Sequence, residues 1–339
     1  MKFSTYMQEW LYGEEGYYKK HLEIGKKGDF YTAVSTSMFF GGCIAKRLID
    51  TIKEGFLSKD SFVVEIGAHK GYLLADMIQF IYTLEPELLK TLRFVIVEPF
   101  VENKKMQKEY FQDSFNGEIE LLHVNSLEEL RCESAFFVAN EIFDAFSCEV
   151  INDKQMLHVE GKKLVFKEAN RDILDMASSY GIKKGEVAIG YEDFAKTMKN
   201  ASKRCEFVTF DYGDKDSRGD FSIRVYDKHN VYPFFALSDF VEEESLREKG
   251  NFYDYFGRCD ITYDVNFSHL AGAFKGVGFK EHLYLTQMSA LVEFGLSELL
   301  EILNEKAPKE LYLQELNKAR VLIDPSFMGE RFKMICFRK

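Results

Sequence analysis

The sequence predicts an α/β fold in which helices cover both faces of a parallel β-sheet. Short and almost continuously apolar runs, such as "FVVEIG" (62–67) and "AFFVANE" (135–141), are typical of strands that are buried on both faces. Helical patterns lie between these runs, and such alternation indicates a parallel sheet. With 339 residues, 46% of them hydrophobic, the chain is long enough for two domains or for one large α/β domain with insertions.

The first sixty residues are expected to form an N-terminal helical cap (1–60). Apolar spacing predicts a helix over 3–11, and a glycine-punctuated, aromatic loop follows it. A second helix is predicted after Ser35 or Thr36, either of which is a suitable N-cap residue. The glycine pair at 41–42 interrupts the apolar face of this second helix.

The core is predicted in three pieces, 61–146, 170–213 and 268–339. Its first five strands are expected at 62–67, 93–98, 119–124, 135–141 and 207–213, with helices at 72–84, 102–111 and 194–203. Two closing strands, at 280–287 and 331–339, would be joined through helices at 290–306 and 309–323 and would complete a seven-stranded sheet.

Two segments interrupt this alternation and are predicted to be insertions. The segment 147–169 alternates with a period of two and carries the turn signals "ND" and "EGK", which indicates an inserted antiparallel β unit. The segment 214–267 is rich in loops, acidic and aromatic, and is expected to form a lid or a substrate-binding face.

Composition excludes several functional classes. The net charge of −11 argues against a nucleic-acid partner, because phosphate binding requires a basic surface. The six cysteines form no C-x-x-C pair and the histidines show no paired ligand spacing, so no metal site is predicted. No apolar run is long enough for a signal peptide or for membrane insertion, and we expect a cytoplasmic protein with reduced thiols.

The turn in "SFVVEIGAHKGYLLADMI" (61–78) follows the first strand and is a candidate cofactor loop. Gly67 can adopt a positive φ and Gly71 stands where the helix begins with free N–H groups. The spacing is not that of a dinucleotide loop, and Glu65 would repel a pyrophosphate but suit a cationic ammonium. S-adenosylmethionine therefore fits better, although an ordinary βα turn explains these residues equally well.

Acidic and amide side chains follow the second and fourth strands. Glu98 ends the second strand, at a distance from the turn where an acid binds ribose hydroxyls in such folds. Asn140, Glu141 and Asp144 follow the fourth strand, on the edge where open α/β sheets bind ligands. Two carboxylates can hold a guanidinium, and Asn140 can orient a reacting nitrogen. A solvent-facing Glu98 and a helix cap by Asn140 or Asp144 are the structural alternatives.

Other polar residues are assigned mainly to structure. Strand termination at Gly213 is the preferred explanation of "DYG" (211–213). A set of residues in or near the second insertion is more typical of an internal hydrogen-bond network than of catalysis; it comprises Arg224, Tyr226, His229, Asp260 and Thr262. His123 and His282 fall in strand patterns and are expected to be core or edge residues.

Taken in order, these motifs resemble the MidA-like methyltransferase family, which includes a mitochondrial arginine methyltransferase that assists complex I assembly. The resemblance runs nearly end to end, through "YMQEWLYGEEGYY", "GDFYT", "EIGAHKGYLLADM", "VEPFVENKKMQ", "ANEIFDAF", "DYG", "IRVYDKH", "DITYDVNF" and "FMGERFK". It implies a class I, Rossmann-like methyltransferase fold that uses S-adenosyl-L-methionine. For the mitochondrial relatives at least, it implies protein arginine methylation with a subunit of respiratory complex I as the target.

The resemblance also assigns roles to single residues. Glu65, Gly67 and Gly71 would hold the methionine end of the cofactor, Glu98 its ribose, and Ser126 would lie near the adenine; Thr32, in the N-terminal signature, is a further expected cofactor contact. Glu141 and Asp144 would hold a substrate guanidinium, beside Asn140.

The chain departs from the family pattern near the expected cofactor site. Ala68, His69 and Tyr72 replace proline, glycine and threonine of the usual loop, and Gly42 stands where the family has glutamate. The residues "AVS" (33–35) replace S-P-E, and Asn266 replaces aspartate. Two alternatives therefore stay open: a methyltransferase for another substrate, and an assembly chaperone that has lost catalysis. A nicotinamide dehydrogenase is a more distant third.

Overall fold

A computed structural model of the protein describes residues 1–20, 32–228, 230–238 and 250–339. The chain divides into two compact units. The smaller unit comprises Met1–Phe30, Ile142–Phe194 and Tyr212–Ala273, and the larger unit comprises Tyr31–Glu141, Ala195–Asp211 and Phe274–Lys339.

The described residues contain fifteen strands and twelve α-helices, numbered here in chain order. The strands are β1 (Phe62–Ile66), β2 (Arg93–Val97), β3 (Leu121–Val124), β4 (Cys132–Asn140), β5 (Cys148–Asn152), β6 (Gln155–Glu160), β7 (Lys163–Glu168), β8 (Lys184–Ala188), β9 (Ser202–Asp214), β10 (Arg224–Asp227), β11 (Asn230–Pro233), β12 (Asp260–Thr262), β13 (Val265–Asn266), β14 (Lys280–Thr286) and β15 (Phe332–Arg338). The helices are α1 (Phe3–Tyr12), α2 (Tyr17–Lys20), α3 (Ala33–Thr36), α4 (Phe39–Lys53), α5 (Tyr72–Leu84), α6 (Val101–Phe115), α7 (Arg171–Ser179), α8 (Tyr191–Ala201), α9 (Phe267–Gly276), α10 (Gln287–Glu293), α11 (Leu296–Lys306) and α12 (Lys309–Ile323).

The main sheet has the strand order β3-β2-β1-β4-β9-β15-β14. The five strands from β3 to β9 are parallel. β15 reverses direction: Cys205 near the start of β9 exchanges both backbone hydrogen bonds with Lys339, and β14 runs antiparallel to β15. This is a class I methyltransferase core, and it confirms the predicted seven-stranded sheet. The short β13 pairs in parallel with the last two residues of β9 and adds an eighth strand.

Close packing between α4 and α5 explains the glycine pair that interrupts the apolar face of α4. A Cβ atom at Gly41 would lie 2.6 Å from Asp76 Cβ, and one at Gly42 would lie 2.8 Å from the ring of Phe80. The glycines therefore let the two helices approach each other. The glutamate that the family pattern has at position 42 would not fit against Phe80 without a rearrangement.

Helix α10 and helix α11 replace the single helix predicted over 290–306. Gly295 has a φ of 88° and is the N-cap of α11. The positive φ therefore favours glycine, and a Cβ atom there would also displace the end of the Lys46 side chain, since it would lie 2.6 Å from Lys46 Cδ. The apolar periodicity continues across the break, which is why the sequence pattern did not reveal it.

The smaller unit contains two antiparallel sheets, of order β7-β6-β5-β8 and β11-β10-β12. The segments predicted at 147–169 and 214–267 supply most of these strands. Helix α1 contacts β5, β6 and β12, and buries Phe3, Met7, Trp10 and Leu11.

The two units cut across the predicted division of the chain in two places. The segment 1–60 is shared between them, because the apolar face of α1 packs on the sheets of the smaller unit. Residues 170–213 were expected to continue the core, but β8, where no strand was predicted, lies in this segment and pairs antiparallel with β5, from Cys148↔Ala188 to Asn152↔Lys184. The inserted sheet therefore extends beyond residue 169.

A membrane-spanning helix would need a long apolar stretch. None of the helices in the described part of the chain is both long and apolar enough to cross a bilayer.

Candidate active site

The carboxyl ends of the central parallel strands are aligned at one edge of the larger unit's sheet. Ile66 lies opposite Val97 of β2 and Ala139 of β4. The residue that follows each of these strand positions therefore stands at the same edge. These residues are Gly67, Glu98 and Asn140.

The turn from β1 to α5 is built on left-handed backbone conformations. Gly67 has a φ of 73° and is exposed, so a ligand can approach its backbone closely. Gly71 has a φ of 80° and is the N-cap of α5. A Cβ atom at Gly71 would lie 3.0 Å from Phe111 Cε2 and 3.4 Å from Ile96 Cδ1. The backbone shape therefore favours glycine at position 71, and a side chain there would press on Phe111.

His69 occupies the position where the family pattern has its middle glycine. Its φ is 46°, so it adopts the left-handed conformation that glycine would adopt without strain. Its carbonyl accepts a 2.7 Å hydrogen bond from Gln107 Nε2. The turn thus keeps a glycine-like backbone although the residue is histidine.

Glu65 lies at the end of β1, directly before this turn. Its Oε2 accepts a 3.1 Å hydrogen bond from the backbone N–H of Leu74, in the first turn of α5. Only 4% of the residue is exposed, and this burial raises the pKa of its carboxyl group to about 8; the Leu74 N–H opposes the shift and Asp76 adds to it. Glu65 therefore joins the strand to the helix beside the turn.

Glu98 follows β2 and is almost completely buried. Its Oε1 accepts a 2.9 Å hydrogen bond from the backbone N–H of Phe100, and its Oε2 accepts from Asn103 Nδ2 and Gln107 Nε2 at 3.2 and 3.3 Å. Burial raises its pKa, and these hydrogen bonds oppose the shift. Since a carboxylate offers about four acceptor positions, Glu98 can still accept from a hydroxyl group.

Gln107 is a buried residue that the sequence motifs did not single out. It contacts Glu98 and the carbonyl of His69, and its Oε1 lies 2.8 Å from His123 Nε2. One signal was present in the sequence: Asn103 and Gln107 are four residues apart, and so share one face of helix α6. His123 lies in β3, as its pattern predicted, and burial together with Lys108 and Lys104 lowers its pKa to about 4.

Thr32 and Ser126 both precede short helical segments. The Thr32 side chain caps α3 and accepts a 3.2 Å hydrogen bond from the backbone N–H of Ser35. Ser126 follows β3 and precedes a 3-10 turn over Leu127–Glu129. The cofactor contacts expected of both residues stay predictions.

Asn140 and Glu141 form a hydrogen-bonded pair at the end of β4, in which the backbone of Glu141 is strained. Asn140 Nδ2 donates a 2.8 Å hydrogen bond to Glu141 Oε1, while Asn140 Oδ1 is a buried acceptor with no hydrogen-bond partner among the described residues. Glu141 has a φ of 54°, and its backbone N–H bonds the carbonyl of Phe210 at 2.8 Å. Non-glycine residues in this conformation concentrate at functional sites.

Asp144 lies in the smaller unit, within a network of hydroxyl groups. It accepts a hydrogen bond from the Tyr212 hydroxyl. The same hydroxyl oxygen lies 2.6 Å from Thr262 Oγ1, with which it forms a second hydrogen bond. Burial raises the pKa of Asp144 to about 6, against the effects of Tyr212 and Arg224. Asp144 therefore has a structural partner of its own, and its predicted contact with a substrate guanidinium stays a prediction.

The residues expected to form an internal network each have hydrogen-bond partners where they are described. Arg224 bonds the Tyr226 hydroxyl at 2.9 Å and Asp264 Oδ1 at 2.7 Å. Asp260 accepts a hydrogen bond from the Tyr18 hydroxyl at 3.3 Å. His229, and residues 28–31 of the "GDFYT" signature, lie outside the described residues.

Gly213 does not end β9, contrary to the preferred explanation from the sequence. The strand continues to Asp214, and Gly213 pairs with Val265 of β13. A Cβ atom at Gly213 would lie 2.1 Å from the carbonyl oxygen of Val265. The glycine therefore permits the close approach of a neighbouring strand.

A metal ion would need several ligating side chains in one place. Among the described ranges, no three His, Cys, Asp or Glu side chains are grouped so that they could hold one.

The residues at this sheet edge fit an adenosyl cofactor. Gly67 is exposed, so a ligand can approach the backbone of the turn closely, and Glu98 presents a carboxylate suited to ribose hydroxyls. With the strand order of the sheet, they define an S-adenosylmethionine-dependent class I methyltransferase.

The chain belongs to the family described as "Putative S-adenosyl-L-methionine-dependent methyltransferase", whose sequence profile matches residues 43–284. S-adenosyl-L-methionine is thus its cofactor. The resemblance to a methyltransferase family is confirmed.

Sequence similarity to other proteins covers almost the whole chain. "Protein arginine methyltransferase NDUFAF7, mitochondrial" from Danio rerio is 25% identical, over 97% of this chain and 81% of that protein. The Homo sapiens protein of the same name is 23% identical, over 97% and 78%. A crystal structure from Burkholderia thailandensis, described as a "likely methyl transferase" bound to S-adenosyl-homocysteine, superposes with a TM-score of 0.80. It is 22% identical, with 100% of this chain and 88% of that chain covered, and it supports the fold.

Proposed function

We propose that the protein transfers a methyl group from S-adenosyl-L-methionine to an arginine side chain of a protein substrate. The proposal is supported by the names of the curated relatives, which are protein arginine methyltransferases. Within the chain it is carried by one observation, the buried acceptor Asn140 Oδ1 beside the Glu141 carboxylate.

The chemistry of this pair favours a cationic group with several N–H donors, such as the guanidinium of arginine. A guanidinium has five N–H donors and no acceptor. It can donate to Asn140 Oδ1, which has no partner among the described residues, and to the carboxylate of Glu141. A substrate hydroxyl or carboxylate would satisfy this set less well, because an amide oxygen and a carboxylate both accept hydrogen bonds.

The main obstacle to the reaction is that a guanidinium is a poor nucleophile. Its lone pairs are delocalised, and its pKa lies above about 12. The cofactor supplies the electrophilic methyl group. Glu141 would localise positive charge on the far nitrogens and would accept the proton that the reacting nitrogen loses. Asn140 would aim that nitrogen, and alignment of this kind corresponds to roughly 7–11 kcal/mol of the barrier.

We further propose a target and a location. On the family resemblance, the target is a subunit of a respiratory complex I-type enzyme. The proposed location, the cytoplasm, comes from the sequence alone, in which no apolar run is long enough for a signal peptide. The net charge of −11 suits a partner that presents a cationic segment. An assembly chaperone without catalysis is the outcome against which these proposals must be tested.

The experiment is tritiated methyl transfer into a lysate of a strain that lacks the protein, because a wild-type lysate would hold a target that is already methylated. We expect one labelled protein whose label is methylarginine. Glu141→Gln should abolish the transfer and leave cofactor binding unchanged in calorimetry. The exposed Glu128→Gln is the matched control and should behave as wild type.

Three outcomes would contradict the proposal in different ways. Full activity of Glu141→Gln would reject the role of Glu141. Label on a residue other than arginine would support a methyltransferase with another substrate. No binding of S-adenosylmethionine at millimolar concentration would support the chaperone.

A further inference from the structure

Gln107 links three parts of the larger unit through a single amide group. Its Nε2 donates to the carbonyl of His69 at 2.7 Å and to Glu98 Oε2 at 3.3 Å, and its Oε1 lies 2.8 Å from His123 Nε2. The residue has no exposed surface, so these bonds do not compete with bulk solvent. They connect the βα turn, the end of β2 and strand β3.

The orientation of this amide is fixed by its partners. A carbonyl and a carboxylate can only accept, so the nitrogen of Gln107 must face His69 and Glu98. The oxygen of Gln107 therefore faces His123, which must donate through Nε2–H. At neutral pH His123 is uncharged, because burial and two lysines lower its pKa to about 4. The uncharged ring has one N–H, and the contact with Gln107 places it on Nε2.

We propose that Gln107 is a positioning residue for cofactor binding, which holds His69 in its left-handed conformation and Glu98 in its buried orientation. The inference depends on the use of S-adenosylmethionine by the family and not on arginine as the substrate. Its experiment can therefore fail while the proposed function stands, and the reverse is also true.

The need for such a residue follows from the histidine in the turn. A non-glycine residue in the left-handed region costs roughly 1–2 kcal/mol, and a glycine at the same position would not pay that cost. The bond from Gln107 to the His69 carbonyl stabilises the costly conformation. Without it the backbone can relax away from φ = 46°, and the cofactor side of the turn changes shape.

Asn103 provides a matched comparison on the same helix. Its Nδ2 donates to the same oxygen of Glu98 at 3.2 Å, and none of its hydrogen bonds reaches His69. Gln107→Met removes the links to His69, Glu98 and His123 with little change of volume, whereas Asn103→Leu removes a link to Glu98 only. Comparison of these two variants separates the effect of the bond to the His69 turn from the effect of the bond to Glu98.

The experiment measures the dissociation constant of S-adenosylhomocysteine by calorimetry for wild type, Gln107→Met, Asn103→Leu and His69→Gly, and for His69→Gly combined with each of the other two. We expect Gln107→Met to weaken binding about tenfold or more, as for loss of a charge-assisted bond. His69→Gly should change wild-type affinity little, because Gln107 already holds the turn. In the Gln107→Met background, His69→Gly should raise the affinity for S-adenosylhomocysteine at least about threefold. In the Asn103→Leu background it should leave the affinity unchanged.

A thermal melt without ligand shows which variants fold. If Gln107→Met does not, Gln107→Glu replaces it, since that change keeps the volume and the oxygen that faces His123 but removes the N–H donors. The proposal is overturned if the Gln107 variant binds within about twofold of wild type. It is also overturned if His69→Gly changes the affinity by the same factor in every background, which is the result of a merely structural role.

Discussion

The carboxyl group of Glu65 caps helix α5 from inside the protein, since its Oε2 accepts the backbone N–H of Leu74 at 3.1 Å. The same group stands directly before the turn from Gly67 to Gly71, which the sequence predicts to hold the cofactor. A carboxyl group with a pKa of about 8 is mostly protonated at neutral pH, so the unliganded protein holds Glu65 largely uncharged. The cofactor, however, carries a cationic ammonium group, and the resemblance assigns Glu65 to that end.

This combination predicts that cofactor binding releases a proton. A nearby cation favours the charged form of Glu65 and so lowers its pKa in the complex. Affinity should therefore rise as the pH increases from about 6 to about 8, and become constant above the pKa of the free protein. Calorimetry in two buffers with different ionisation enthalpies measures the protons released per cofactor.

Glu65→Gln is the control for this prediction. The amide cannot titrate, so the variant should bind more weakly and without the pH-dependent gain. Proton release that persists unchanged in Glu65→Gln would assign the effect to another group. Affinity that stays constant over this pH range in the wild-type protein would show that Glu65 does not approach the ammonium group.

Gly71 offers a second prediction, because the chain contains a matched glycine. Gly71 and Gly55 have nearly the same φ, 80° and 76°. A Cβ atom at Gly71 would press on Phe111 at 3.0 Å, whereas one at Gly55 would meet nothing within 4 Å. Alanine at either position pays about 1–2 kcal/mol for the left-handed backbone. We expect Gly71→Ala to destabilise the protein further and to lose cofactor affinity, while Gly55→Ala should keep full affinity.

Denaturant unfolding and calorimetry on the two alanine variants check this expectation. Equal losses of stability would mean that Phe111 moves away at no cost. An unchanged dissociation constant in Gly71→Ala would remove the turn from the cofactor site, whatever the effect on stability.

Local sequence patterns correctly predicted the helices and strands whose bounds are set by their own residues. Helix α5 begins and ends where the sequence indicated, at Tyr72 and Leu84, because a glycine turn precedes it and one apolar face runs through it. β1 and β2 were predicted to within one residue for a similar reason, since both are short, buried and almost entirely apolar. The edge position of Glu98 and Asn140 follows from the ends of such strands.

Features that depend on residues far away in the sequence could not be predicted from local patterns. The role of Gln107 depends on contacts with residues 38 positions before it and 16 after it. The pairing of β8 with β5 depends on a sheet whose other strands were assigned elsewhere. The tolerance of the turn for His69 is also a tertiary effect, because the sequence shows only that a glycine is missing.

Glu141 gives the last prediction, which separates its chemical role from its backbone conformation. Both Glu141→Ala and Glu141→Gly remove the carboxylate, so both should lose methyl transfer. Their stabilities should differ, because the φ of 54° at this position is costly for alanine and not for glycine. We expect the glycine variant to be more stable by roughly 1 kcal/mol in urea unfolding.

Glu133, an exposed residue of β4, is the control: there glycine should be less stable than alanine by about 0.5–1 kcal/mol. The same order of stability at both positions would contradict a left-handed Glu141. Methyl transfer that survives in both variants at position 141 would show that the strained residue does not take part in the reaction.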